Sequence, residues 1–215
     1  MKKLTTIIIC LLLITKSYAE RRDRDKVDVG LKVGVNFNQV NGDYWNNGYK
    51  ANLMAGAYLF YKGGMAGISI EPLYTQSTFV TGQGFGDLYA DFYQSTTDTI
   101  QKGTFQLNYY NVPVLLNIKI LPRIWLQLGP QFSGVLSVKD NDHLLKDAES
   151  FFSKAMISGV GGLWINLPAG ITISGRYVLG LNDININSNT MTNNKTIEDQ
   201  WQQKMLQVGI GFTFL

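Results

Sequence analysis

Cysteine, histidine and charge are scarce in this sequence of 215 residues. Cys10 is the single cysteine, His143 is the single histidine, and charged residues make up 16% of the chain, against about 25% in an ordinary soluble domain. Cys10 lies in the N-terminal segment that we expect to be removed, so the mature chain has no thiol for disulfides, thiolate metal sites or nucleophilic catalysis. A lone histidine argues against a histidine metal site, and we expect neither a metal nor a cofactor.

Proline and long apolar runs are also few. The chain has 5 prolines against 22 glycines, 11 tyrosines and 11 phenylalanines, a composition that excludes a disordered tail, a coiled coil and a collagen-like rod. It favours β-structure, because aromatic side chains fit the pleated surface of a sheet. Beyond residue 19 no apolar run reaches the roughly 20 residues that a membrane-spanning helix needs.

The N-terminus carries the pattern of an export signal. Lys2 and Lys3 form a short basic region, and an apolar run follows to Ile14. Ser17-Tyr18-Ala19 then places small residues at the positions that a signal peptidase reads. We predict a signal peptide over residues 1–19. The alternative, a buried N-terminal helix, fits these flanking residues less well.

The remaining domain, residues 20–215, is electrically neutral. The signal segment holds Lys2, Lys3 and Lys16, which account for the whole net charge of +3. Removing these three from the 19 basic residues leaves as many basic side chains as there are acidic ones, namely 16. Because a domain that binds nucleic acid normally carries a basic surplus, we expect no nucleic acid among the partners.

Strict alternation of apolar and polar residues runs through the domain. The clearest case extends from Val27 to Phe37, where every odd-numbered residue is apolar and every even-numbered residue is polar or glycine. A period of two predicts a strand with one apolar and one polar face. This strand is long for a soluble protein but matches the roughly 9–11 residues of a tilted membrane-spanning strand. Seven further segments repeat the pattern, at about 50–62, 65–78, 104–119, 124–138, 154–166, 171–182 and 206–214.

The connections between these segments alternate between long and short. The first, third, fifth and seventh are long, while the second, fourth and sixth have two to four residues. An even number of strands with short periplasmic turns and long extracellular loops is typical of outer-membrane barrels. The sequence therefore predicts an all-β fold, an eight-stranded antiparallel up-and-down transmembrane β-barrel with both termini in the periplasm. Pro72 cannot donate a ladder hydrogen bond, so we expect a bulge or defect in the third strand.

Alternation alone does not tell the outer face of a barrel from its inner face, and a soluble ligand-binding barrel is an alternative. Three features favour a membrane. The polar face carries few charges for a water-facing surface, the long and short connections lie at opposite ends, and aromatic residues gather at strand ends, as in membrane barrels. We expect Tyr61, Trp164, Phe212 and Phe214 near the short turns, and Phe37, Tyr74, Tyr110 and Phe132 near the long loops.

Five short motifs follow one another along the domain, at Gly30–Gly34, Ile70–Tyr74, Tyr110–Leu116, Leu128–Pro130 and Arg176–Ile184. Each motif is loose, but in their order and spacing the chain resembles the outer-membrane β-barrel proteins of the Bacteroidetes, in particular the group named after PorT. The resemblance covers nearly the whole mature chain. It implies an eight-stranded barrel in the outer membrane of a Gram-negative bacterium, and it implies no particular function.

Glu71 and Arg176 fall on the polar faces of their strands, and Lys32 does so in the first strand. The interior of an eight-stranded barrel is just wide enough to be filled by side chains, and a charge buried there must be paired. We therefore predict an internal ion-pair network of these three residues. We favour a charged plug that holds the barrel rigid; a gated path for protons or ions is the alternative.

The long connection after the third strand is rich in aromatic residues. Exposed aromatic side chains in one loop can mark a partner surface, although they can equally pack on one another or contact lipid headgroups. We consider five residues as candidates for loop interactions: Phe79, Phe85, Tyr89, Phe92 and Tyr93.

Enzymatic chemistry finds little support in the sequence. Acyl transfer needs a nucleophile with a base, and His143, within an acidic stretch, is the single base of that kind. We predict no catalytic residue and a non-enzymatic structural or interaction role through the long extracellular loops. A lipid-modifying enzyme with an active site at the rim and the soluble ligand-binding barrel are the alternatives. The expected partners of this monomer are outer-membrane lipid and an unidentified extracellular or periplasmic protein or ligand.

Overall fold

The structure is a computed structural model that describes nine ranges of the chain: residues 27–42, 44–46, 48–82, 84–85, 103–142, 152–185, 191–192, 195–196 and 200–215. The predicted signal peptide lies outside these ranges, as do His143, Tyr89, Phe92 and Tyr93. In the part of the chain that is described, no helix is both long and apolar enough to cross a membrane.

The described elements are strands, apart from one short 3-10 turn at Pro168–Gly170. In chain order they are β1 (Val27–Asn41), β2 (Lys50–Gly63), β3 (Ala66–Ile70), β4 (Leu73–Val80), β5 (Thr104–Leu121), β6 (Ile124–Asp140), β7 (Ala155–Asn166), β8 (Ile171–Gly180), β9 (Met191–Thr192), β10 (Lys195–Thr196) and β11 (Gln202–Thr213). The short strands β9 and β10 pair only with each other in the described structure.

The long strands form one closed antiparallel ring. Neighbours in sequence pair with each other, and β1 pairs with β2 on one side and with β11 on the other, which closes the sheet. Because β3 and β4 together occupy one position of the ring, the barrel has eight strands, as the sequence predicts. Because the first and last strands pair with each other, the ring has no terminal edge strand, as a β-structure in lipid requires.

The third strand of the ring is interrupted at Glu71 and Pro72, where the expected defect is found. Proline has no N–H to donate to the neighbouring strand, so the ladder stops at Ile70 and resumes at Leu73. The backbone is still held across the gap, because Glu71 N donates to Pro113 O at 3.2 Å and Ala57 N donates to Pro72 O at 3.1 Å. The interruption lies where the side chain of Glu71 enters the lumen.

The two faces of the wall are arranged as the alternation predicts. In β1, Leu31 and Val33 are 60% and 61% exposed, whereas Lys32 and Asn36 on the other face are buried. The same holds in β3, where Ile68 and Ile70 point outward and Ser69 points inward. The outside is therefore an apolar band, and the polar residues of the strands fill the lumen.

Candidate functional site

Three charged side chains meet in the middle of the lumen. Lys32 Nζ lies 3.0 Å from Glu71 Oε2, and Arg176 Nη1 donates to the same oxygen at 2.8 Å. Arg176 Nη2 donates to Glu71 Oε1, so the guanidinium grips the carboxylate with two parallel bonds. All three residues are buried. The structure thus brings together the three residues that the sequence places on polar faces, and we call them the ion triad.

A chain of amide side chains extends the ion triad around the wall. Arg176 Nε donates to Gln127 Oε1 at 2.9 Å. Gln127 Nε2 in turn donates to Asn117 Oδ1 at 2.6 Å, and Asn117 Nδ2 donates to Ser69 Oγ at 2.9 Å. These contacts join β8, β6, β5 and β3, so hydrogen bonds from several strands hold the side chains of the ion triad in place.

The ion triad carries two positive charges for one carboxylate. The ring of Trp164 lies beside both cations, 5.1 Å from Lys32 Nζ and 5.9 Å from Arg176 Cζ. The negative face of an aromatic ring attracts a cation, most strongly where water is excluded. Trp164 therefore offsets part of the surplus positive charge.

Trp164 belongs to a cluster at the turn side of the lumen, with Tyr58, Phe60 and Trp125. Their rings pack edge to face, with centroids 5.0 Å apart for Tyr58 and Trp164 and 5.1 Å apart for Phe60 and Trp125. The prediction that Trp164 belongs to the outer aromatic belt is wrong, because its position in β7 faces inward beside Trp125 of β6. The glycines of β7 hide which of its faces is apolar, and only the register decides it.

A larger apolar cluster fills the loop side of the lumen, and we call its rings the aromatic cap. Trp45 lies at its centre, with ring centroids 4.8 Å from Trp201 and 5.4 Å from Phe85. The rings of the cap are Trp45, Phe79, Phe85, Phe105, Phe152 and Trp201. Edge-to-face packing of this kind stabilises buried rings beyond the burial of their area. The cap closes the loop side of the lumen.

Phe79 and Phe85, candidates for an exposed loop surface, are buried in the aromatic cap, at 3% and 1% exposure. Phe79 occupies an inward-facing position of β4, and Phe85 packs on Trp45. Of the three interpretations of the loop aromatics, packing on one another therefore describes these two residues. The other three candidates, Tyr89, Phe92 and Tyr93, lie outside the described residues.

Sequence reasoning missed most of the aromatic residues in the lumen. Phe105 and Tyr109 are fully buried in β5 on the same face as Asn111, while Tyr110 points outward. The signal was present, because these two residues share the parity of the polar face. An aromatic residue at such a position interrupts the alternation, so the pattern alone does not separate it from the outer face.

Purified, folded protein is expected to show no stable single-channel currents in planar lipid bilayers. The aromatic cap, the ion triad and the turn-side cluster follow one another along the lumen, and an eight-stranded barrel is too narrow for water to pass beside them. A sample whose folding has been verified by its faster gel mobility before boiling is the one to measure. Reproducible current steps from that sample would refute the closed lumen.

Comparison with known proteins gives one family and a set of solved structures. Residues 18–185 match the family described as outer membrane protein beta-barrel domain. The structures include Ail, the attachment invasion locus protein of Yersinia pestis (12% identity, TM-score 0.44), with 88% of this chain and 100% of that chain covered. Neisserial surface protein A is similar at 11% identity and a TM-score of 0.44, with 88% and 98% covered.

OprG of Pseudomonas aeruginosa is a further similar structure, at 10% identity and a TM-score of 0.39, with 87% of this chain and 94% of that chain covered. No protein of curated function gives a significant match to the sequence. The family match spans most of the chain and agrees with the apolar outer face, so the soluble ligand-binding barrel is ruled out. The chain belongs to the family of outer membrane proteins with a β-barrel domain, and the outer membrane is its location.

Proposed function

We propose that the protein is a non-enzymatic anchor in the outer membrane, whose extracellular loops form its working surface. The observation that carries this proposal is the aromatic cap. Each long connection supplies a buried ring to it: Trp45 between β1 and β2, Phe85 after β4, Phe152 before β7 and Trp201 before β11. Because the four connections share one apolar core, they behave as a single platform rather than as separate loops.

The ion triad supports a rigid anchor rather than a gated ion path. A path needs groups that can separate and re-form at little cost, whereas Glu71 is held by Arg176 through two bonds and by Lys32 through a third. Breaking a buried pair leaves an uncompensated charge. The three residues therefore act as a plug that ties β1, β8 and the interrupted third strand together.

The acidic residues at the rim that the structure describes hold the loop backbone. Thr104 N donates to Asp142 Oδ2 at 2.7 Å, and Asp142 N donates to Asp140 Oδ1 at 3.2 Å. Carboxylates that bind backbone N–H groups in this way order a turn. Their engagement favours the non-enzymatic role over a lipid-modifying enzyme that would rely on the neighbouring His143.

The assignment of the chain to a narrower group within its family is also part of the proposal. We place the chain in the PorT-like group of the Bacteroidetes, supported by the five motifs from Gly30–Gly34 to Arg176–Ile184. Residues 1–19 are the signal peptide in this proposal, and the mature protein is a monomer. Its partners are outer-membrane lipid and an extracellular or periplasmic protein or ligand that meets the platform or the turns.

Replacing Trp45 with alanine is expected to loosen all four connections at once while the barrel stays folded. Trp45 packs against every other ring of the aromatic cap, and removing a buried ring of this size leaves a large cavity. Loop cleavage by a protease added to intact cells should become about tenfold faster, which corresponds to roughly 1.4 kcal/mol of local opening. Gel mobility before and after boiling reports whether the barrel has folded.

Trp125→Ala is the matched control, because it removes the same side chain from the turn-side cluster at the other end of the lumen. It should leave the cleavage rate of the loops unchanged. A photo-crosslinker at exposed Tyr49 tests the working surface directly, with Met65 in the β2–β3 turn as its periplasmic counterpart. The platform would be contradicted if a partner were crosslinked from position 65 but not from position 49. It would also be contradicted if the crosslinks from position 49 persisted in Trp45→Ala.

A further inference from the structure

The turn-side end of the barrel exposes apolar side chains where a surface in contact with water would be polar. Met65 in the β2–β3 turn is 76% exposed, and Leu121 at the end of β5 is 55% exposed. Ile120 beside it and Leu215 at the C-terminus are exposed as well. Because water-facing surfaces are rich in charged residues, this end of the barrel is unusual. We call these four residues the turn-side rim.

The height of the apolar band on β5 places the turn-side rim at the edge of the lipid. Tyr110 and its ladder neighbour Tyr74 are exposed and mark the loop-side end of the band. From Tyr110 the exposed residues of β5 are apolar down to Ile120, ten positions further along the chain. Ten residues of a strand tilted by about 40° rise roughly 25 Å, which is the height of the apolar band in outer-membrane barrels. The β5–β6 turn therefore lies at the lipid–water interface.

Two cations flank the exposed apolar residues of the β5–β6 turn. Lys119 Nζ lies 5.8 Å from the ring centroid of Trp125, at the turn-side mouth of the lumen, and Arg123 is exposed. The ion pairs among the described residues include neither of them. Lys62, in contrast, lies 2.5 Å from Asp28. The β5–β6 turn thus carries two positive charges without a counter-ion in the described structure.

The acidic groups of the turn side are far from these two cations. None of the three short turns, all of which the structure describes, contains an acidic residue. Asp28 belongs to β1, and Leu215 with its terminal carboxylate is held beside β1, since Val29 N donates to Leu215 O at 2.9 Å. In the ring, β5 and β6 lie opposite β1 and β11. The side of the barrel at the β5–β6 turn is therefore positive.

The combination of apolar tip and cations selects the partner. Ile120 and Leu121 continue the lipid-facing band without a polar break, and Lys119 and Arg123 stand directly beside them. Anionic lipid surfaces attract lysine and arginine side chains placed at this depth. An acidic protein segment would match the charges, but the continuity of the exposed apolar residues with the band favours lipid.

We propose that the turn-side rim is immersed in the headgroup layer of the membrane, where Lys119 and Arg123 bind the phosphate of an anionic phospholipid. Since short turns of outer-membrane barrels are periplasmic, the lipid belongs to the periplasmic leaflet. The inference rests on the part of the proposed function that makes outer-membrane lipid a partner. It does not involve the aromatic cap, so the loop platform and this lipid site can fail separately.

The depth of the turn-side rim is tested with a nitroxide label at Leu121→Cys, in the mature chain that has no cysteine of its own. The folded protein is placed in phosphatidylcholine vesicles with and without phosphatidylglycerol. Collisions with oxygen, which concentrates in lipid, should exceed collisions with a water-soluble nickel chelate. Tyr49→Cys is the control on the loop side, where the nickel collisions should dominate. Dominant nickel collisions at position 121 in both lipids would overturn the proposal and indicate a protein partner instead.

Lipid selectivity is tested by native mass spectrometry of the folded protein with phosphatidylglycerol and phosphatidylcholine at equal concentrations. Bound phosphatidylglycerol should exceed bound phosphatidylcholine. Arg123→Gln should weaken the binding of phosphatidylglycerol about fivefold, the factor for one cation at an anionic lipid surface. Lys119→Gln should do the same, and it gives a second test if the first variant does not fold.

Lys139→Gln is the matched control, because it removes one exposed lysine from the loop end of the same β5–β6 hairpin. It should bind phosphatidylglycerol as the original protein does, and gel mobility before boiling verifies that each variant has folded. Equal binding of the two lipids would overturn the site. A loss in Lys139→Gln as large as in Arg123→Gln would overturn it too, because the attraction would then come from total charge and not from the turn.

Discussion

Replacing Glu71 with glutamine is expected to lower the free energy of unfolding by about 3–5 kcal/mol, the usual cost of breaking a buried ion pair. The carboxylate is the single anion of the ion triad, and it binds Lys32 and Arg176 at once. Without it two buried cations face each other with only Trp164 and Gln127 to stabilise them. Arg176→Gln should cost less, because Glu71 keeps Lys32 as a partner.

The energetic coupling between Glu71 and Arg176 tests the ion triad more directly than either single variant does. Urea unfolding in detergent or lipid is compared for Glu71→Gln, Arg176→Gln and the double variant, and the double loss should be smaller than the sum of the single losses. Asp28→Asn with Lys62→Gln is the control pair, since its ions lie 2.5 Å apart at the turn-side mouth, where Lys62 is partly exposed. It should show a weaker coupling. Additive losses for Glu71 and Arg176 would contradict the plug.

Leu31→Arg is expected to destabilise the barrel by about 2–4 kcal/mol in a bilayer, the cost of a charge near the middle of the lipid face. Leu31 points outward within the apolar band of β1 and is largely exposed to the surrounding medium. The measurement is unfolding by denaturant in lipid vesicles, with tryptophan fluorescence as the probe.

Phe37→Arg, on the same face and strand but near the loop-side interface, is the matched control and should cost much less. Gly34→Leu tests the opposite face. A side chain at that position would meet Val208 O, Met54 and Gly209 on the two neighbouring strands, so the larger residue should be destabilising. If Leu31→Arg and Gly34→Leu were both tolerated, the assignment of the two faces would be wrong.

The strands could be predicted because the bilayer imposes a period of two on every segment that crosses it. Their ends could not. β1 continues to Asn41 and β6 to Asp140, beyond the predicted ends at residues 37 and 138, and β11 begins at Gln202 rather than near 206. Outside the lipid the outer face no longer has to be apolar, so the alternation fades while the hydrogen-bond ladder goes on.

The candidate site was predictable residue by residue but not as an arrangement. A charge on the polar face of a membrane strand needs a partner, which singles out Lys32, Glu71 and Arg176. The aromatic cap escaped prediction, because four of its six rings come from connections whose local sequence has no period. The sequence places Trp164 on the wrong face, since the glycines around it remove the contrast between the faces of β7.

By itself the sequence determined the number of strands, the order of long and short connections, and the polar positions of each strand, because these depend on neighbours along the chain. Closure of the ring decided which side chains from distant strands meet in the lumen. Glu71 and Arg176 are 105 positions apart and meet only because the third strand of the ring and β8 curve around one lumen. Contacts across a barrel depend on tilt, register and the narrow lumen together, and none of these is encoded in a local pattern.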